Sequence, residues 1–534
     1  MFGWFMFIYK SKILIAAAIS LSLILFGCGH SSYEAVPKDN AWLPHVIVAN
    51  ERGKFDHTVL PKEHKCSWKK KNKKGSIVYK EIERFKAEPC HYKLVFDQLA
   101  YYIDESVDPK LMIFIHGGLT TSEDALKRVI DDYPHIREDG YYPIFLNWQS
   151  GGIRSYFDQI TEIRDGNRIQ QYYNDKQAKE LLRAAAPLYF LGDVAESIVT
   201  APVTWFNQAT RALSRRFVSA ESELDVDEYT NEAWNQINHS NNVIQEDLDD
   251  TERLPREGNN LFVPVQYAFR LLTGPFIDTM GETAWSNMRR SSRAVFRSHL
   301  DFTPKNIKGK NCPENHCKKG TAAFARFFQN LDELFNEDAS RRQRTEITLI
   351  AHSMGTIVAN DAIRDFDLLY DNLVYLGAAS SIRHFYNTVV PILEEQSESD
   401  QEIRTRFYNL MLHPKLEHRE LNYMGLLPSG SLLEWIDNMY VESDSILDRT
   451  LGNWNNVSRV KHVFSSKAQN SMIFRVFPKY RNSIYPRKHG DFTKTFKDGK
   501  QNFTYRYWHP ASWGNKILAR PHDRKPDSDS GNHH

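Results

Sequence analysis

Short apolar runs recur along this chain and alternate with longer segments whose apolar positions fall three and four residues apart. The runs at 111–115 (LMIFI), 143–148 (PIFLNW), 347–350 (ITLI), 373–376 (LVYL), 407–412 (FYNLML) and 472–477 (MIFRVF) are apolar at most successive positions, with no alternation of apolar and polar residues. That pattern predicts strands covered on both faces rather than strands with one wet face. Residues 45–50 and 92–99 read as two further strands, with 101–105 a turn and its continuation. Helical spacing is clearest at 321–335, where Phe324, Phe327, Phe328, Leu331 and Leu334 share one face. A helix-compatible segment also follows Gly355 through Ile363, and helical spacing recurs at 167–217 (Ala178, Leu181, Leu182, Ala185, Val194, Ile198, Val203) and at 261–296 (Phe276, Ile277, Met280, Trp285, Met288). Buried strands separated by helices assemble as an α/β fold with a mostly parallel, doubly covered sheet.

Between the strands at 143–148 and 347–350 lie roughly two hundred residues, too many for a simple crossover. The chain therefore divides into a leader at 1–28, a linker and basic segment at 29–91, a first core part at 92–150, a helical insertion at 151–340, a second core part at 341–519 and a polar, disordered tail at 520–534. Residues 31–44 read as linker, and 62–74 form a basic cluster with Lys65, Lys69, Lys70, Lys71, Lys73 and Lys74 around Trp68, suited to anionic head groups or to a solvated loop. Within the insertion, 221–260 is rich in Asp, Glu and Asn and is expected to be an exposed, mobile excursion. The apolar helices on either side of it suit a cap over a pocket or a platform for a protein partner.

Composition narrows the function. Lys+Arg 68 against Asp+Glu 67 leaves a net charge of +1, which argues against a nucleic-acid binder. A mean hydropathy of −0.53 leaves no room for several membrane spans. The leader differs: Lys10 and Lys12 precede an apolar run at 13–26 of signal-peptide length, followed by Cys28. Leu25-Phe26-Gly27-Cys28 resembles a bacterial lipobox, which implies lipid attachment at Cys28; without cleavage the aromatic-rich start becomes an apolar anchor. Either way the body is expected outside the cytoplasm, in the cell envelope on the periplasmic or surface side. Cys66, Cys90, Cys312 and Cys317 remain, an even set suited to an oxidising compartment. Local pairing, Cys66 with Cys90 and Cys312 with Cys317, closes the shortest loops. A zinc site at Cys312, His316 and Cys317 lacks a second close ligand pair, so no metal is expected.

The chemistry concentrates in three turns. The run at 347–350 enters Ala351-His352-Ser353-Met354-Gly355 and then a helix, the strand, sharp turn and helix of a nucleophile elbow, with Ala351 in place of the first glycine. The run at 111–115 ends in His116-Gly117-Gly118-Leu119, where absent side chains let main-chain N–H groups approach a developing oxyanion. Met354 and either Gly118 or Leu119 are the expected donors. Beyond the last strand comes His489-Gly490-Asp491-Phe492. A serine hydroxyl is a weak nucleophile until an imidazole takes its proton, and His489 is the candidate base, with His509 in reserve. The acid belongs after 407–412. Glu417 is the candidate, with Glu420, Asp437, Asp444 and Asp448 as alternatives.

FIHGG at 114–118, AHSMG at 351–355 and HGDF at 489–492 appear in the order of the α/β-hydrolase superfamily, and the chain resembles its bacterial exported esterase- and lipase-like members. The resemblance spans about 92–150 and 341–514 and leaves out the basic segment and the insertion. It implies an α/β-hydrolase fold, over which the helical insertion would form the cap. It also implies an acyl-enzyme on Ser353 with His489 and a carboxylate, no cofactor, and a small-molecule or lipid ester as substrate. The other reading is a catalytically silent envelope protein of this fold whose insertion docks a partner.

Overall fold

The computed structural model describes residues 41–514 apart from 51–52, 57–67, 72–76, 81–86, 152–154, 157–184, 207–242, 246–262, 298–321, 367, 399–404, 421–429, 442, 461–462, 478–485 and 498–502. The chain divides into two compact units, Met1–Ala41 with Pro61–His64 and Trp42–Leu60 with Lys65–His534. All that follows concerns the second. The expected leader, Cys28, Cys66, Cys312, His316, Cys317 and the tail lie outside the described residues, and with them the expected cysteine pairings and zinc alternative.

In chain order the main elements are β1 (Val46–Ala49), α1 (Ala87–Glu105), β2 (Lys110–Ile115), α2 (Ser122–Glu138), β3 (Tyr141–Trp148), α3 (residues 185–206), β4 (Val243–Gln245), α4 (Val263–Ala294), α5 (Ala323–Glu337), β5 (Glu346–His352), α6 (Gly355–Asp365), β6 (Asn372–Leu376), α7 (Ile382–Thr388), α8 (Val390–Glu398), β7 (Arg406–Leu412), α9 (Pro414–Arg419) and β8 (Met472–Phe477). The eight strands form one sheet in the order β1-β3-β2-β5-β6-β7-β8-β4, and every neighbouring pair is parallel. This is an α/β architecture with flanking helices. Because the strands are parallel, their C-terminal ends lie along one edge, where crevices form in such sheets.

The six apolar runs are all strands, and their buried side chains are those of a sheet covered on both faces: Leu111 to Ile115, Ile347, Leu349, Ile350, Leu373 to Leu376 and Phe474 are at most 1 % exposed. α5 buries the predicted stripe of Phe324, Phe327, Phe328 and Leu331 completely, each ring contributing roughly 1.5–3 kcal/mol.

Three expectations are corrected. Residues 92–99, read as a strand, lie inside α1, as do 101–105. The buried positions there are Tyr92, Val95, Leu99 and Ile103, a step of three or four that a short window hides behind its aromatic and β-branched content. His91 donates to or accepts at Nε2 against the Val46 carbonyl (2.7 Å), which can only accept, so the ring is the donor tying α1 to β1. Residues 42–43, read as linker, are buried, with Trp42 beside the start of β1. Within the polar stretch 221–260, Val243–Gln245 adds the edge strand β4 on β8. Trp68–Lys71, in the basic cluster, pairs antiparallel with Ile77–Lys80.

Candidate active site

Ser353 leaves β5 with φ +50°, a left-handed conformation that a side-chain-bearing residue adopts only under constraint, at about 1–2 kcal/mol. The constraint is visible on both sides. The Ser353 N–H donates to the Leu376 carbonyl (2.9 Å), and its own carbonyl accepts from the N–H groups of Thr356 (3.1 Å) and Ala379 (3.1 Å) and from the Thr356 hydroxyl (2.7 Å). Gly355 is required by close approach: a Cβ there would lie 2.5 Å from the Ile115 carbonyl oxygen. The helix α6 thus starts hard against the end of β2, with Met354 as its N-cap.

His489 sits in a short 3-10 turn, His489–Asp491, and its Nε2 is 2.8 Å from Ser353 Oγ. The structure brings these two groups together across the sheet edge. Burial pushes the imidazole down to about 4, so the ring is neutral and Nε2 can accept the serine proton. The His489 N–H donates to Glu420 Oε2 (2.9 Å) and its carbonyl accepts from His352 Nε2 (3.2 Å). The main chain of His489 is therefore held at both ends. Burial also drives Glu420 up to about 7, with Asp491 adding to the rise and the bond from His489 opposing it.

The glycine turn after β2 packs directly on the elbow. A Cβ on Gly117 would lie 2.9 Å from Ser353 Cβ, and one on Gly118 would lie 3.3 Å from Met354 Cβ and 3.7 Å from Met288 Sδ. Among the described residues the N–H groups of Met354 and Gly118 carry no hydrogen bond. Leu119 is different. Its N–H donates to the Ser150 carbonyl (2.8 Å), in a left-handed turn with φ 62°, and so is not available to an oxyanion in this arrangement. His116 is also committed. Its Nε2 accepts from the Trp148 N–H (3.0 Å), which puts the proton on Nδ1, where it donates to the Gly117 carbonyl (2.8 Å). Ser150, unmarked by any motif, fixes the same turn through its hydroxyl on the Gly117 carbonyl (3.0 Å).

The carboxylate is where sequence order and geometry part. Glu417 lies beyond β7 as expected, but its carboxyl is fully buried, neither oxygen meets a hydrogen-bonding group, and it does not reach His489. Burial holds it protonated well above the usual carboxylate range, and Glu420, Glu434 and Asp437 push the same way. The nearby Ser431 hydroxyl works against that rise without reaching hydrogen-bond geometry. Nδ1 of His489, where a third member would stand, is buried without a partner. Asp437 is occupied by Thr450 and Asn456, and Asp448 by Arg383. His509 caps the 3-10 turn Pro510–Ser512, where its side chain accepts from the Ala511 N–H.

The insertion reaches the site. α4 packs on α6 and on the π-helical turn Ile436–Tyr440, and it carries Met288 to the Gly118 turn. Among the described residues no group of three or more His, Cys, Asp or Glu side chains is arranged to hold a metal ion. No family model, curated protein or solved structure matches this chain.

Proposed function

We propose that the chain is a serine hydrolase of the α/β-hydrolase fold, capped by its helical insertion, that cleaves an ester-type bond, a carboxylic ester or a lipid. The observation that carries the reading is the strained Ser353, with its hydroxyl 2.8 Å from a neutral, buried imidazole. In the reaction Ser353 Oγ attacks the acyl carbon while His489 Nε2 takes its proton. The resulting oxyanion accepts from the N–H groups of Met354 and Gly118. Collapse of the tetrahedral intermediate returns the proton from His489 to the leaving alcohol, and a water activated by the same nitrogen releases the acid. Chain order assigns the orienting carboxylate to Glu417, whose buried carboxyl does not reach Nδ1 in this structure. We place the body in the cell envelope, held by a lipid on Cys28 or by the uncleaved apolar run. Cys28→Ala should then abolish acylation and, in the lipid-anchored case, change membrane fractionation.

The unpartnered Nδ1 of His489 favours a second reading, a silent scaffold whose insertion docks an envelope partner. A fluorophosphonate probe separates the two. The first reading expects one adduct on Ser353, lost in Ser353→Ala, and labelling slowed by about 10²–10⁴-fold in His489→Gln. Folded wild-type protein that takes up no probe leaves the scaffold.

A further inference from the structure

In a triad of serine, histidine and acid, the carboxylate orients the imidazole by accepting from Nδ1. Here that nitrogen meets no acceptor. Nδ1 of His489 is buried without a hydrogen-bond partner among the described residues. A Cβ on Gly377 would lie 3.1 Å from both Nδ1 and Cε1, so the main chain just after β6 covers that edge of the ring. Beside it stand the rings of His352, 5.3 Å away between centroids, and Phe492, edge-on at 6.4 Å. The proton affinity of the imidazole agrees with this setting, because burial alone moves it, downward, whereas a carboxylate acting on the ring would raise it.

We infer that His489 is positioned through its main chain, by Glu420 on its N–H and His352 on its carbonyl, in place of a carboxylate on its ring. The inference rests on the hydrolase reading, since the placement of the ring matters to catalysis only if it serves Ser353. The two contacts come from separate elements. Glu420 directly follows α9 and its Oε2 accepts the His489 N–H (2.9 Å), while Nε2 of His352, the last residue of β5, donates to the His489 carbonyl (3.2 Å). His352 is also the neighbour of the nucleophile, so one strand end holds both Ser353 and the main chain of its base. Burial keeps the His352 ring neutral, with its single proton on the nitrogen that makes this bond. Fixing the peptide groups on both sides of His489 leaves only its two side-chain torsions free, and Gly377, Phe492 and His352 crowd the ring that they would turn. Asp491 shapes the same turn by accepting from the Lys488 N–H (3.0 Å) and the Lys494 ammonium (2.7 Å). The His489 N–H needs an acceptor and not a charge. A neutral Glu420 carboxyl, whose carbonyl oxygen still accepts, serves as well as an ionised one.

The test compares, in the full chain, substitutions that keep each bond with substitutions that remove it. Glu420→Ala and His352→Ala remove the acceptor and the donor, and fluorophosphonate labelling of Ser353 should slow about ten- to hundred-fold in each, as a displaced base requires. Glu420→Gln and His352→Gln put an amide oxygen and an amide N–H at similar reach and should recover most of that rate. A carboxylate working through its charge on the ring would give the opposite split, with Glu420→Gln as slow as Glu420→Ala. A second readout needs no reactivity. In protein whose histidines carry carbon-13 at Cε1, the His489 resonance, assigned by its loss in His489→Gln, should be narrow in wild type and in both Gln variants and broadened in both Ala variants. Equal losses in the Gln and Ala variants, or a resonance as narrow in the Ala variants as in wild type, would overturn the inference. Wild-type protein that takes up no probe would instead defeat the hydrolase reading, and the resonance would still decide whether the two contacts fix the ring.

Discussion

His489 is a buried imidazole with one nitrogen on Ser353 and the other without a hydrogen-bond partner, and its proton affinity follows from that. Burial alone lowers it from 6.5 to about 4, and a carboxylate at Nδ1 would raise it again by stabilising the imidazolium. A base must be neutral to accept a proton. If no carboxylate engages during turnover, kcat/KM for a soluble ester should hold through mildly acidic pH and fall only as pH drops toward about 4. An acid limb near neutrality would instead report a carboxylate that moves behind the ring. Glu417 gives a second prediction of opposite sign. Its folded proton affinity is raised above the unfolded value of 4.5, so the folded state binds the extra proton and stability is lost as pH climbs above that value and through the folded one. Glu417→Gln removes the titration. Urea melts should find the two proteins close at about pH 5, with the variant increasingly the more stable toward about pH 8, by up to about 1.4 kcal/mol for each unit the two affinities differ. A variant that is less stable at the higher pH would mean that Glu417 is ionised and paired.

Turns between elements, more than the elements themselves, set the geometry of the site, and Gly377 after β6 is the sharpest case. It has φ +51°, and a Cβ there would lie 2.9 Å from the Phe492 ring and 3.1 Å from His489 Nδ1. Gly140, after α2, also has a positive φ, but a Cβ there meets nothing within 4 Å. Both alanine variants carry the left-handed penalty of about 1–2 kcal/mol. Only Gly377→Ala also crowds the imidazole, so fluorophosphonate labelling should slow at least about ten-fold in that variant and stay at the wild-type rate in Gly140→Ala. Equal rates in the two would show that the ring has room to yield. The misread α1 belongs at this scale too. Its residues between 92 and 99 satisfy strand propensity, and burial against β1 and α5 decided the helix instead.

Across the whole molecule, the segment after 503 closes over the sheet. Trp508, Trp513, Tyr505 and Tyr507 are buried there, and Arg475 of β8 donates to the carbonyls of Ala511 (3.0 Å) and Ser512 (2.6 Å). Asp139, at the end of α2, takes both the Arg506 guanidinium and the Trp508 indole N–H (2.7 Å), joining chain segments far apart in sequence. The ion pair is mostly shielded from solvent, so Asp139→Asn removes a shielded counter-charge from beside the guanidinium. Chemical denaturation should show a loss of about 1–3 kcal/mol, and an unchanged midpoint would mean that water replaces the pair at no cost.

The chain's own pattern determined the six central strands of the sheet, since runs of apolar side chains have no stable place except a covered sheet, and it marked the three turns by residue types that few backbones tolerate. Ser353 and His489 were legible for this reason: parallel strands put their C-terminal ends along one edge, whatever lies between them in sequence. The partner of each polar group was not legible. Leu119 carries an N–H like any other, and only the fold brings the Ser150 carbonyl within 2.8 Å of it. Glu417 stands where a triad acid belongs in chain order, and only packing around α9 buries its carboxyl away from the imidazole. Helix α3, whose Leu188, Leu191, Val199 and Val203 are exposed, was likewise read as one helix among several. Periodicity states which residues share a face, whereas the direction that face points is a property of the assembled body.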